Sequence, residues 1–173
     1  MGLVIAVATI AGYGAVAWIL GIRAAGAGAP LTYAVAPLAF VLLVGAAWRR
    51  KPADKPERRR ERAQRGRIIG DVNGVLVVLI VLAVYLLRLV GRSDLLAPTV
   101  AVVGGLHFLA FARLFPARAY YYTSALLVGL GTAGFFLDPG HLRVPIVSIG
   151  ASGILWLTCV AVLIWPESRR TGD

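Results

Sequence analysis

Residues that usually carry chemistry are scarce in this sequence. The chain has one cysteine, two histidines and eight acidic residues among its 173 positions. A single cysteine excludes an intrachain disulfide and a cysteine-based metal cluster. The sequence also lacks an H-E-x-x-H zinc motif, a phosphate-binding loop, a pair of acids inside an apolar stretch and a Ser–His–Asp set. These absences argue against an enzyme, and we expect neither a cofactor nor a metal.

Polar stretches are equally scarce, apart from one. The apolar residue types AVILMFWYC make up 59% of the chain, whereas a soluble domain has about 45–50% apolar residues even with glycine counted. Six apolar stretches approach the roughly 20 residues that a helix needs to cross the hydrocarbon core. Val75–Leu87 lacks the alternation of a barrel strand. The sequence therefore predicts one all-α domain, 1–173, a polytopic transmembrane helical bundle.

Turn and breaker residues divide the apolar stretches. Pro116 cannot continue a helix, and Asp138-Pro139-Gly140 is typical of a turn. The boundaries of such predictions are good to about 2–4 residues. The six predicted helices cover, within that precision, residues 3–22, 31–48, 69–90, 95–114, 119–137 and 142–165. The basic run 49–67 between helices 2 and 3 is predicted to be a loop.

Basic residues are concentrated on one side of this predicted topology. Ten of the 18 lysines and arginines lie in the run 49–67, beside three acidic residues. If that run is cytoplasmic, only four of the lysines and arginines are predicted to lie on the outer side: Arg23, Arg88, Arg92 and Arg143. This asymmetry is the positive-inside pattern. We therefore expect a multi-pass protein of a bacterial plasma membrane with both termini cytoplasmic, and we expect Arg88 and Arg143 to reach the outer surface.

The basic run itself allows two interpretations. Juxtamembrane basic clusters attract anionic lipid head groups with ~1 kcal/mol per basic residue, and the expected contacts are Arg49, Arg50, Lys51, Arg58, Arg59, Arg60 and Arg62. Alternatively, the run only enforces the topology. Aromatic residues do not interleave with the charges, so we do not expect nucleic-acid binding.

A few polar residues lie within the predicted helices and form a candidate site. His107 lies near the middle of helix 4, and ionisable residues at that depth are rare and often functional. Asp71 and Asn73 open helix 3, and Tyr120 opens helix 5. The alternatives are structural: His107 donating one hydrogen bond to a neighbouring helix, and Asp71 stabilising a helix start beside the basic run.

A short pattern runs through helices 4 and 5. Gly105-Leu106-His107-Phe108 is followed by Arg113-Leu114-Phe115 and then by Tyr120. This pattern resembles small bacterial membrane proteins that form a family known only as a domain of unknown function. There, a Gly-x-His segment in a helix precedes an aromatic exit and a tyrosine that opens the next helix. The resemblance implies the same helical architecture and no known activity.

Two functions from different classes remain open. The first is a protein that binds or passes a small solute or ion at a site near His107 inside the bundle. Six helices are few for a transporter, so this role would favour a homo-oligomer. The second is a non-catalytic scaffold or accessory subunit that binds a partner membrane protein or anionic lipid. Small residues spaced by four can form close helix contacts. They lie on helix 4 (Ala101, Gly105), helix 5 (Ala125, Gly129, Ala133) and helix 6 (Ser148, Ser152).

The predicted topology can be tested by labelling. In a background that lacks Cys159, we expect Lys55→Cys to resist a membrane-impermeant thiol reagent in intact cells and to react after lysis, because the basic run lies inside. His141→Cys, at the predicted outer surface, should react in intact cells and serves as the control. Ready labelling of Lys55→Cys in intact cells would reverse the topology.

Overall fold

The computed structural model describes residues 2–26, 29–50, 59–114, 118–138 and 142–164. These residues form six helices and no strand, which confirms the predicted fold class. A single 3-10 turn, Ser93–Leu95, precedes the fourth helix. The helices are α1 Gly2–Ala24, α2 Pro30–Arg49, α3 Arg59–Leu89, α4 Leu96–Leu114, α5 Arg118–Phe136 and α6 Arg143–Ile164.

Four of the helices are long and apolar enough to cross a membrane. Their spans lie in α1, α2, α4 and α6: Leu3–Ala24, Leu31–Arg49, Ser93–Arg113 and Arg143–Ile164. The part of α3 that counts as apolar among the described side chains, Asn73–Leu89, is shorter. Length and composition thus support a membrane protein, while the side on which each terminus lies stays a prediction.

The start of α3 differs most from the sequence prediction. The helix begins at Arg59, ten residues before the predicted start at 69, so much of the basic run is helical. Arginine, glutamate, glutamine and alanine all favour helix, and extending an existing helix avoids the cost of a new nucleus. Lys51 and Arg58 lie outside the described residues. The prediction of a loop was therefore wrong for residues 59–67, because a basic run outside the apolar stretch can continue the helix.

Close contacts at glycines define how α4, α5 and α6 pack. A Cβ added to Gly105 of α4 would lie 2.7 Å from the side chain of Val128 in α5, and one added to Gly131 would lie 2.7 Å from Val102. Along α4 the order is Val102 then Gly105, whereas along α5 their partners Gly131 and Val128 come in the opposite order, so the two helices are antiparallel. A Cβ added to Gly134 of α5 would likewise lie 2.6 Å from the side chain of Val147, near the start of α6.

The other half of the bundle is built on α1. Gly14 of α1 receives the indole of Trp156, and Gly21 lies against Ile149, which makes α1 antiparallel to α6. The indole N–H of Trp18 donates to the carbonyl oxygen of Thr32 at 2.8 Å, which ties the end of α1 to the start of α2. Consecutive helices therefore alternate in direction, and their ends gather at two opposite ends of the bundle.

The predicted small-residue faces had different outcomes. Ala101 and Gly105 are buried against α5, and Ser148 and Ser152 are also buried, so the faces of helices 4 and 6 are confirmed. The face of helix 5 does not pack within the chain. Its three members, Ala125, Gly129 and Ala133, are exposed. The helix instead buries a neighbouring face that contains Ser124, Leu127, Gly131 and Gly134.

Charged residues separate between the two ends of the bundle. One end, hereafter the basic end, contains Arg49, Arg50, the segment Arg59–Arg67, Arg113 and Arg118. Arg88 and Arg143 lie at the other, and Arg88 is exposed, as expected.

Arg143 corrects the expectation that it reaches the outer surface. It is only 4% exposed, pairs with Asp94 and donates from Nε to the carbonyl oxygen of Leu137 at 3.1 Å. This contact joins the start of α6, the turn before α4 and the end of α5. Because the ion pair joins residues 49 positions apart, it could not be read from local sequence.

α3 lies at the edge of the bundle. It packs against α4 and the turn that precedes α4. Leu76 is the only buried residue among positions 73–89, and the core cluster contains residues of the other five helices but none from these positions of α3. Gly91, at φ 72°, ends the helix, since its backbone adopts a conformation that side chains disfavour.

The glycine contacts lead to a stability prediction. Gly131→Ala places a methyl group against the backbone of Pro98 and Val102, whose nearest atoms are 2.8 and 2.9 Å away. Overpacking of this kind costs about 1–3 kcal/mol, more than the roughly 1 kcal/mol that alanine gains over glycine in a helix. We expect a lower thermal midpoint in detergent. Gly129→Ala, whose added Cβ meets no atom within 4 Å, should leave the midpoint unchanged or raise it. Equal effects of the two changes would contradict the packing described here.

Candidate functional site at the contact of α3 and α4

The structure brings two of the predicted site residues into direct contact. His107 Nε2 of α4 lies 3.2 Å from Asn73 Oδ1 of α3. With the amide oxygen as acceptor, the imidazole Nε2–H is the donor, and the neutral ring keeps Nδ1 as an acceptor. The Asn73 amide also keeps its N–H donors. Within the described part of the chain, neither side chain makes another hydrogen bond.

Three aromatic rings adjoin this pair. The imidazole of His107 lies 4.8 Å from the ring of Phe111 and 6.3 Å from that of Phe108, edge-on in both cases. The ring of Tyr120 lies 6.1 Å from Phe108 and 6.4 Å from Phe111. These five residues, Asn73, His107, Phe108, Phe111 and Tyr120, are hereafter the polar–aromatic cluster.

Burial decreases across the cluster from the core towards α3. Phe108 and Tyr120 are buried and belong to the core, whereas His107 and Asn73 are half-buried. His107 lies seven residues before the end of α4, which is about 10 Å along a helix. The cluster therefore lies in the half of the bundle near the basic end, at the edge where α3 joins α4.

The other predicted site residues have separate positions. Asp71 lies in α3, and its side chain is outside the described part of the structure. Among the predicted lipid contacts, Arg49 ends α2 and is exposed. Arg50 donates to the carbonyl oxygen of Leu163, so it interacts with the unpaired end of α6, where a cation is favourable.

The remaining predicted lipid contacts are described less fully. The backbones of Arg59, Arg60 and Arg62 belong to α3, while their side chains are outside the described part of the structure. Lys51 and Arg58 are not among the described residues. No group of three or more His, Cys, Asp or Glu side chains that could hold a metal ion occurs in the described ranges.

Sequence reasoning missed a second polar contact between helices. Thr123 of α5 and Thr158 of α6 are buried, and their hydroxyl oxygens lie 2.5 Å apart. Each hydroxyl also lies within hydrogen-bond distance of a carbonyl oxygen four residues earlier in its own helix. Threonine commonly makes that local contact, so the sequence contained no signal for the pairing. The threonine pair is buried, and the contacts within the chain can use both of its hydroxyl protons.

Comparison with protein-family models, with curated proteins and with solved structures found no match to this chain. The resemblance of helices 4 and 5 to a domain of unknown function therefore stays a prediction.

The contact between Asn73 and His107 can be measured by a double-mutant cycle. We expect Asn73→Leu and His107→Leu to show a coupling of about 0.6 kcal/mol, and at most about 1.7 kcal/mol, as for hydrogen bonds between membrane helices. The readout is the free energy of unfolding in mixed micelles. Asn73→Leu combined with Thr158→Val is the control and should be additive within about 0.5 kcal/mol. Additivity of the first pair would mean that the hydrogen bond does not form.

Proposed function

We propose that this protein is a multi-pass membrane protein that binds or passes a small solute or ion at the polar–aromatic cluster. The hydrogen bond between Asn73 and His107 carries the proposal, because it joins two helices and leaves an acceptor and N–H donors without partners in the described part of the chain. Polar groups at membrane depth are costly unless they are paired. A solute that offers both a donor and an acceptor would complete this pairing.

The packing of α3 supports access to the cluster. Between positions 73 and 89, α3 buries only Leu76, and its other apolar side chains are half-buried or exposed. Lipid is as apolar as these side chains, so little apolar free energy opposes a separation of α3 from α4. A solute can therefore reach His107 along the edge of the bundle without unfolding the core.

The chemistry of the cluster favours some solutes over others. Its side chains are an amide, an imidazole, a phenol and two phenyl rings, with no carboxylate among them. Hard cations such as Mg²⁺ and Ca²⁺ prefer carboxylate and carbonyl oxygens. The cluster is better suited to a neutral polar molecule with a flat apolar part, or to a proton taken up by the imidazole.

The exposed face of α5 supports a second candidate function, an accessory subunit for a partner membrane protein or a second copy of this chain. Ala125, Gly129 and Ala133 are exposed, and an added Cβ on Gly129 would meet no atom within 4 Å. Small residues spaced by four allow another helix to approach closely. Under this proposal, the hydrogen bond of His107 serves packing only.

Native mass spectrometry of the protein, extracted gently from its own membrane, tests the first proposal. We expect the wild type to carry a small molecule and His107→Leu to lose it, because the substitution removes the imidazole acceptor and donor. Thr158→Val is the matched control. It also removes a polar contact between helices, but a buried one whose hydroxyl protons can both be used within the chain, so the bound molecule should stay.

Other outcomes of this measurement contradict the proposal. A His107→Leu protein that keeps the molecule places the binding site elsewhere. A wild type that carries a stoichiometric partner chain and no small molecule favours the accessory subunit. In that case Gly129→Leu should release the partner, while Gly153→Leu, on α6 and also without a neighbour within 4 Å, should not.

A further inference from the structure

α3 joins the basic segment and the polar–aromatic cluster in one helix. It has 31 residues, which corresponds to about 46 Å, against a hydrocarbon core of about 30 Å. Its first nine residues, 59–67, include five arginines and one glutamate. Asn73 follows only six residues after Arg67, about 9 Å further along the helix. A force on the basic segment therefore acts on the same rigid element that holds Asn73.

The attachment of α3 makes such a force effective. The helix contacts α4 and the turn before α4, and none of its described side chains, 73–89, belongs to the core cluster. A Cβ added to Gly74 would meet no atom within 4 Å. Among the described side chains of α3, Asn73 makes the one hydrogen bond to another helix. A small tilt of α3 would therefore change the distance between Asn73 and His107 while the other five helices keep their contacts.

We propose that anionic lipid head groups bind the arginines of 59–67, tilt α3 and separate Asn73 from His107. In a straight helix, residue 59 lies about 13 Å before Ile68, so the first arginines of 59–67 extend beyond a head-group layer that is only about 5–8 Å thick on each side. Attraction to an anionic surface favours the arrangement that brings more arginines to that layer. Tilting α3 is such an arrangement, and it opens the contact at the cluster.

This inference assigns a regulator, membrane lipid, to the site of the proposed function. It rests on that proposal only in treating the contact of Asn73 and His107 as the site. The structure corrects the predicted loop to a helix, and the coupling depends on that correction, because a loop would not transmit the position of its arginines to Asn73.

A distance measurement in nanodiscs tests the inference. In a Cys159→Ser background, spin labels at Gly74→Cys and Ala110→Cys report the separation of α3 and α4, and both positions are exposed. We expect the ratio of separated to close populations to rise at least about fivefold, a typical allosteric coupling, when phosphatidylglycerol replaces part of a phosphatidylcholine bilayer. Labels at Leu126→Cys and Leu157→Cys, on α5 and α6, should show no change.

Charge variants identify the lipid contact. Replacing the five arginines of 59–67 by glutamine should abolish the lipid effect, whereas Arg23→Gln with Arg88→Gln, two exposed arginines at the other end, should leave it intact. If the variant with all five arginines replaced does not fold, added salt tests the electrostatic attraction to lipid in the wild type. Raising the ionic strength to 1 M shortens the screening length to about 3 Å and should remove the effect.

Three results would overturn the inference: no lipid dependence in the wild type, an unchanged lipid effect in the glutamine variant, or an equal effect of soluble glycerol 3-phosphate in phosphatidylcholine alone. The last would assign the site to a soluble anion. The distances are measured without solute, so they do not depend on ligand binding. Loss of solute binding would leave the lipid-dependent displacement of α3 intact, and an α3 displacement that does not depend on lipid would leave solute binding at His107 intact.

Discussion

The bundle depends on helices that approach one another closely at glycine. Apolar burial gives no driving force between helices in lipid, so association depends on packing distance. At Gly14, Gly21, Gly105, Gly131 and Gly134, an added Cβ would lie within 3 Å of an atom of the neighbouring helix. These contacts allow one register for α1 with α6, for α4 with α5 and for α5 with α6. The core, the buried threonine pair and the ion pair at the end of the bundle all follow from that register.

α3 lacks this kind of contact, and the candidate site lies where close packing stops. Gly74, the one glycine of α3 whose surroundings are described, has no neighbour within 4 Å of an added Cβ. A polar contact between Asn73 and His107 joins α3 to α4 instead. A hydrogen bond between membrane helices is weak, about 0.6 kcal/mol on average, and it can exchange partners. The combination of a firm five-helix core with a loosely packed α3 would suit this edge to the reversible binding that we propose.

The candidate site could be predicted in part from residue types. His107 and Asn73 stand out because polar side chains are rare in apolar helices, and the structure places them 3.2 Å apart. Tyr120 joins them only through Phe108 and Phe111, since its ring contacts theirs. The burial of Arg143 and the pairing of Thr123 with Thr158 had no local signal, because each partner lies more than 30 positions away.

The sequence by itself determined the helical class, the number of helices and the separation of charge between two ends. These properties follow from local composition, because a run of about 20 apolar residues has to be helical in lipid. Only the tertiary structure decided which face of α5 packs, how far α3 extends and which polar groups pair. Helix 5 carries small residues on two faces, so the choice between Gly129 and Gly131 depends on the shape of α4. Contacts between distant residues depend on register, and register is a property of two helices together.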